Sequence, residues 1–331
     1  MTDARPTRRD FLAATAVAAV APQLPNLAAR AQTESAPHSS PDQPSKPDGK
    51  RIDVVHVSSD HVVRGPRVHA GLMRDMIETA LMRVTNKESS GDSWRSLFKP
   101  DDVIGLKLNS SGAGKLGVTE PFVDTVVESM LAAGIPADRI VLIEAPEALF
   151  TRHSLVRPVP GWRKEETDFG SGRDQFAKVL DQITAIVNIP FLKTHNIAGI
   201  TCCLKNLSHG LVRHPARYHG NGCAPFIGDI VASPAIRDKL MLHLVNALRV
   251  VFDGGPEPTD GGTWDAGAVL CGIDPVAIDT YGLETINLQR AILGRPGIGL
   301  GRGGAWYLQM AADRGLGVAD LNRLEIVKYR V

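Results

Sequence analysis

Short apolar runs rich in β-branched residues alternate along the chain with segments whose apolar residues recur every three or four positions. "IDVVHVS" (52–58), "DVIGLKL" (102–108), "RIVLIE" (139–144), "AIVNIP" (185–190), "RVVFD" (249–253), "GAVLCG" (267–272) and "LEIVKY" (324–329) predict strands, with Pro190 stopping the fourth. "VHAGLMRDMIETALMRV" (68–84), "EPFVDTVVESMLAAG" (120–134), "DKLMLHLVNAL" (238–248) and "PVAIDTYGLETI" (275–286) predict helices. Thr119 reads as the N-cap of the second helix and Gly134 as its stop. Strand then helix, repeated, predicts an α/β fold: a mainly parallel sheet with helices on both faces, forming a single large domain. Two polar stretches rich in Pro and Gly, Phe150 to Arg173 and Pro215 to Pro234, read as long loops or small insertions over the sheet.

The first fifty residues follow neither pattern. "PTRRDFLAATAVAAVAPQL" places Arg8 and Arg9 before a mild, alanine-rich apolar stretch, and Ala29-Arg30-Ala31 offers a small-x-small cleavage site. This is the form of a twin-arginine signal peptide, residues 1–31, which implies the twin-arginine translocation machinery as a partner. The apolar stretch is too short to form a stable membrane span, which takes about 20 residues. Residues 32–50 are rich in Ser, Pro and Asp and read as a disordered linker. The domain is expected over 51–331, in the periplasm or otherwise exported, after cleavage near Ala31.

Charge narrows the partners. The 331-residue chain holds 37 Lys and Arg against 36 Asp and Glu, and its aromatic content is only 5%. With no basic surplus to neutralise phosphates, nucleic acid is not an expected partner. The four cysteines, Cys202, Cys203, Cys223 and Cys271, form no C-x-x-C pair, so there is no built-in iron–sulfur or zinc-ribbon spacing. The twin-arginine route exports proteins already folded, including many that load a cofactor first, so a metal or cofactor stays open.

In open α/β sheets ligands bind beyond the carboxyl ends of the strands. The predicted strand ends place Lys107, Asn109, Glu144, Lys193, His195, Asp253 and Asp274 on one rim. The stretch "NIPFLKTHNIAGITCCLKNLSHG" (188–210) adds to it. Ile200, Cys203, Leu204, Leu207 and Leu211 form one helical face, and Cys202, Lys205, Asn206, His209 and Arg213 a second, polar one. No Asp or Glu falls between Lys193 and Arg213, and cations without acids attract a carboxylate or phosphate.

A small anionic ligand is therefore expected, with Lys193 or Lys205 binding it or acting as base. His195 or His209 would shuttle a proton, Asp253 would orient one of them, and Lys107, Asn109, Asn206, Arg213 and Asp274 would line the ligand site. A metal site is the alternative, with His209, His214 and His219 as candidates converging through a loop, and His195, Cys202 or Cys223 as further ligands. Asp253, Asp274 and Asp279 could instead hold a hard cation, although Asp274-Pro275 is also an ordinary helix start. Packing and solvated surface account for the same residues without any ligand.

Two glycine motifs count for little. "GIGLGRGG" matches G-x-G-x-x-G, but a helical pattern precedes it where the dinucleotide fingerprint needs a strand. "SSGAGKLG" follows a strand yet lacks the G-K-[ST] ending of a P-loop, although its backbone and Lys115 could approach an anion.

"DVIGLKLN", "IVNIPFLKTH", "ITCCLKNLSHG", "VFDGGPEPTDGG" and "GIDPVAID", in this order over about residues 100–320, resemble domain-of-unknown-function family 362. The resemblance implies an α/β domain with Lys107, Asn109, Lys193, His195, Lys205, Asn206 and Asp253 on the characteristic motifs. It implies no established activity. Many members carry a ferredoxin-like iron–sulfur segment, which this chain lacks, and the chain resembles the exported, single-domain members. Three functions compete: an exported protein that binds or acts on a small anion, a periplasmic metal or metallocofactor carrier, and a non-catalytic envelope interaction protein. Whether the protein is an enzyme is open at this level.

Overall fold

The computed structural model describes residues 53–331, so the predicted signal peptide, linker and cleavage site lie outside the described residues. A ten-stranded sheet organises the described chain. In chain order its strands are β1 (Val54–Ser58), β2 (Ile104–Leu108), β3 (Ile140–Ile143), β4 (Ala185–Ile189), β5 (Phe191–His195), β6 (Gly199–Thr201), β7 (Leu240–Val251), β8 (Thr263–Trp264), β9 (Ala268–Gly272) and β10 (Ile326–Arg330). The main path runs β10-β1-β9-β7-β4-β2-β3, with β5 and β8 pairing β7, and β6 pairing β5. The β7, β4, β2 and β3 strands are mutually parallel, and β5 is parallel to β7. On this path β9 alone is reversed, antiparallel to both β7 and β1.

Alternate residues of each strand enter two separate cores, because successive side chains point to opposite faces. On one face Val55, Val57, Ile104, Leu106, Ile140, Leu142, Val187, Leu242 and Leu244 pack beneath α1 (Ala70–Thr85), α2 (Ser90–Leu97) and α3 (Thr119–Ala132). On the other, Val141, Ile143, Ile186, Val245, Ala247 and Leu270 pack beneath α4 (Cys203–His209), α5 (Phe226–Ala232), α6 (Pro275–Ile292) and α7 (Tyr307–Asp313). The expected sheet with helices on both faces is what forms, and no helix of the described residues is long and apolar enough to cross a membrane.

Several local expectations fail, each for a physical reason. Residues 238–248 are not helical: after a turn at 238–239, residues 240–251 make the twelve-residue strand β7. Both edges of that strand are hydrogen-bonded and nearly all of it is buried, so its pattern shows no alternation and leaves the local reading to helix-favouring Leu and Ala. Pro190 does end β4, at Ile189, but the extended chain goes on. Its carbonyl accepts the Asn246 N–H at 2.8 Å, and the chain resumes as β5, which carries Lys193 and His195 on a strand where a loop was expected.

Smaller departures follow. Val118, not Thr119, holds the N-cap position of α3, and the Thr119 hydroxyl donates to the Ala113 carbonyl at 3.1 Å. The helix expected over 200–213 is confined to Cys203–His209, with Ile200 in β6.

No side chain of its own caps α4. Asp279, fully buried on α6, does so: its carboxylate accepts the Cys203 N–H at 2.6 Å and the Leu204 N–H at 3.1 Å. Such a carboxylate satisfies orphan donors at a helix start and sets the position of everything on α4.

Asp279→Ala should cost about 3 kcal/mol in denaturant unfolding, through loss of a charge-assisted acceptor above two buried amides. Burial lifts the Asp279 carboxyl to about 6, above the roughly 3.9 of an unfolded chain. Its neutral form is thus favoured in the fold, and the associated stability falls as pH rises from about 4 to about 6. Asp279→Asn should show less of that fall, and parallel curves over this range would contradict the assignment.

Candidate functional site

The site begins with a row of polar residues inside the sheet. Lys107 on β2 pairs in register with Asn188 on β4, and Asn188 with His243 on β7. All three are completely buried. Asn188 Nδ2 donates to His243 Nδ1 at 3.0 Å and to the Cys203 carbonyl at 3.1 Å. From α4, Asn206 reaches down onto the row. Its Nδ2 donates to Asn188 Oδ1 at 2.8 Å and to the Lys107 carbonyl at 3.2 Å, while its Oδ1 accepts from Lys107 Nζ at 3.0 Å. Asn206 makes hydrogen bonds to both neighbouring strands, and this fixes the register of α4 on the sheet.

Lys107 Nζ also donates to the Leu108 carbonyl at 2.6 Å and lies 3.3 Å from Glu144 Oε1. Burial lowers its pKa, and Glu144 opposes the shift. Glu144 is held in turn by the Ser110 N–H and hydroxyl, at 3.3 and 3.0 Å. The chain leaving α4 passes directly over this pair. A Cβ on Gly210 would sit 2.5 Å from both Lys107 Nζ and Glu144 Oε1, so a side chain there would push the ion pair out of place.

Lys193 and Lys205 stand above the row. Lys193, in the middle of β5, donates to Asn109 Oδ1 at 3.0 Å and to the Ser111 carbonyl at 2.6 Å. Lys205 on α4 donates to His219 Nε2 at 3.3 Å. Burial lowers both lysines to about 8; for Lys193, Glu257 opposes the shift and Lys205 adds to it. Lys193 and Lys205 are 1% and 5% exposed. Among the described residues neither has a carboxylate within ion-pair distance, in contrast to Lys107.

Three imidazoles complete the cluster. His195 Nδ1 accepts the Ile197 and Ala198 N–H groups at 3.1 and 3.2 Å, so its proton sits on Nε2. Burial holds His195 down to about 3, with Lys205, His219 and Lys193 acting in the same direction. The His195 ring stacks on His219 at 5.6 Å, and the His209 ring meets His219 edge-on at 4.6 Å. His209 is held down to about 2, again by burial first and then by Lys205. At neutral pH this is therefore a cluster of neutral imidazoles beside two buried ammonium groups.

The structure thus joins Lys193, His195, Lys205 and His209 with Lys107, Asn109 and Asn206, the last three as support beneath. It does not join the remaining candidates. Asp253 is taken by Arg290 and Arg295, at 2.7 and 2.8 Å, and orients no lysine or histidine of the cluster. Asp274 follows the reversed strand β9, whose Gly272 pairs with His243 near the start of β7, so it lies at the opposite edge of the sheet. There it caps α6 through the Ala277 N–H, at 2.8 Å. Arg213 is exposed and donates to Gln175 Oε1. His214 is bound to Asp174 at 2.9 Å, outside the cluster. The three aspartates considered for a hard cation are therefore dispersed.

Sequence reasoning passed over Asn188, Gly210 and the clamp of Glu144 on Lys107. Asn188 stood in the quoted strand as its one polar residue, which was the available signal. Nothing local marked the other two.

A profile for a domain of unknown function, DUF362, matches residues 104–284, more than half of the chain. The chain belongs to the DUF362 family. The match runs from the first residue of β2 into α6, so the polar row, both lysines, the three imidazoles and Asp279 all lie inside it. No curated protein matches the chain.

Glu144→Gln should destabilise the fold by about 3 kcal/mol, because it leaves the Lys107 charge buried without its partner. Lys107→Met combined with Glu144→Gln should recover most of that loss in the same unfolding assay. A double variant no more stable than the single one would show that the pair does not act as a unit.

Proposed function

We propose that this DUF362 domain binds a small anion, a carboxylate or phosphate, where β5 meets α4, and that its imidazoles move a proton there. The observation that carries the reading is the pair Lys193 and Lys205, two ammonium groups almost out of water with no carboxylate partner among the described residues. Each keeps N–H donors beyond the acceptors it already has. A buried cation is tolerated when its partner arrives with the ligand.

The proton chemistry follows from the tautomer. His195 holds Nδ1 as an acceptor of two backbone amides, which leaves Nε2–H as a donor toward a bound group. Lys193, lowered to about 8, sits close enough to neutral pH to exchange a proton. In this reading Lys193 and Lys205 hold the anion, His195 donates to it, and Lys107, Asn109, Asn188 and Asn206 keep the lysines and α4 in place. The ligand meets the domain outside the cytosol, after export on the twin-arginine route with the signal removed near Ala31.

Inorganic phosphate and a panel of small carboxylates should raise the unfolding temperature of the wild-type chain. Lys193→Met and His195→Gln should fold yet bind the same ligand about 10- to 100-fold more weakly, the worth of one charge-assisted hydrogen bond. Equal thermal shifts in all three proteins would sink the reading. Affinity should also fall as pH rises through about 8. Above that value Lys193 loses its charge, with Glu257 and Glu144 delaying the loss and Lys205 hastening it.

A further inference from the structure

His209, at the end of α4, faces two residues of the irregular segment Pro215–Cys223. One ligand atom each from His209, His219 and Cys223 fall within 4.8 Å of one another. We propose that these three residues form a binding site for a borderline transition-metal dication such as zinc, with one coordination position left open. The site shares only Lys205 with the anion reading and takes its ligands from other atoms, so either can fail alone.

Hydrogen bonding fixes which nitrogens are offered. The Ser208 hydroxyl lies 3.3 Å from the Lys205 carbonyl and 2.9 Å from His209 Nδ1, and when it donates to the carbonyl its oxygen accepts from Nδ1. In that tautomer His209 carries its proton on Nδ1 and a lone pair on Nε2, the form a metal would select. That Nε2 is buried and has no hydrogen-bond partner, the state of an acceptor awaiting an electrophile. His219 is arranged in the same way. Its Nδ1 can only donate to the Pro215 carbonyl, at 3.1 Å, which again leaves Nε2 as the lone-pair donor. An imidazole anchored through one nitrogen by an oxygen, with the other presented inward, is the arrangement that metal-binding histidines take. Cys223 supplies the third, softer donor as a thiolate once its proton is displaced.

The donor set selects the ion. Two imidazoles and one thiolate suit zinc or a neighbouring transition metal, and disfavour calcium or magnesium, which take oxygen ligands. Tetrahedral zinc wants its nitrogen and sulfur ligands roughly 3.5 Å apart, which atoms already within 4.8 Å of one another reach by small side-chain movements. Both histidines are only partly buried, which leaves a path for the ion. His214 is excluded by its bond to Asp174. The other soft-donor group, Cys202 with Cys203 and Asp279, is wholly buried, and its carboxylate is already committed to the start of α4.

Lys205 gives the proposal a distinctive consequence. Its Nζ donates to the very lone pair of His219 that the metal would take. Metal and ammonium compete for that nitrogen, and the displaced ammonium is left beside the open coordination position.

The test is a titration of the reduced, purified protein with Co2+, a spectroscopically visible substitute for zinc. The wild type should bind one ion and show the thiolate-to-cobalt charge-transfer band together with the d–d bands of a tetrahedral ion. Cys223→Ser should lose the charge-transfer band. His209→Gln should bind more than about 100-fold more weakly, since loss of a mere supporting group already costs about 10- to 100-fold. Lys205→Met should bind Co2+ more tightly than wild type, a gain that no loss of folding can imitate. His214→Ala should behave as wild type. A charge-transfer band that persists in Cys223→Ser, no stoichiometric binding by the wild type, or no tightening in Lys205→Met would overturn the proposal.

Discussion

A lysine ammonium stands in the interior of a parallel sheet, and the rest of the site is built on the means by which it is tolerated. Lys107 has no contact with water, so its charge has to be met inside the protein. Glu144 supplies the counter-charge and Asn206 and the Leu108 carbonyl supply acceptors. Asn206 can do this only if α4 sits in one register over β2 and β4, where its amide also meets Asn188. A half-satisfied network of this kind would cost more than an apolar core, so the polar row specifies one placement of the helix and rejects its neighbours. Gly210 completes the constraint, since the chain must pass over the ion pair with no side chain at all.

Once α4 is fixed, the functional groups follow. Asn206 at the middle of the helix carries Lys205 and His209 with it. The Cys203 and Leu204 amides at its start are held from α6 by Asp279. The bend at Pro190 brings β5 alongside the upper half of β7, where Lys193 pairs with Val251, and this delivers Lys193 and His195 to the same place. A hydrogen bond from the Gly255 N–H to the Thr194 hydroxyl, at 3.0 Å, ties the loop after β7 to the end of β5. A Cβ on Gly255 would lie 2.1 Å from the Thr194 carbonyl oxygen, so that loop too depends on a missing side chain. Burial then sets the charge state: it lowers the affinity of both lysines for their protons and keeps the imidazoles neutral.

The α/β class, most strands, and α1, α3 and α6 were legible in the chain, because each depends on local pattern. Strands buried on both faces announce themselves as apolar runs, and strand ends in such sheets point to one rim when the strands are parallel. That last condition is where local reading stops. Nothing in "GAVLCG" states that β9 runs antiparallel, yet the direction alone moves Asp274 from the shared rim to the opposite edge. Likewise "LMLHLVNAL" is a good helix by composition, and only hydrogen bonds from β4 and β9 on its two edges make it a strand.

The sequence by itself determined which residue types reach the region of α4, since their spacing on one short helix and one strand end is a covalent fact. The tertiary structure decided which of them meet. Asp253 was drawn off by Arg290 and Arg295, from a helix and loop some forty residues later. His214 was drawn off by Asp174, and His219 and Cys223 were brought to His209 by a segment without regular helical geometry. Side-chain pairing depends on distances across the fold, set by strand direction and by the packing of one buried ammonium, and neither is encoded in the local periodicity of the chain.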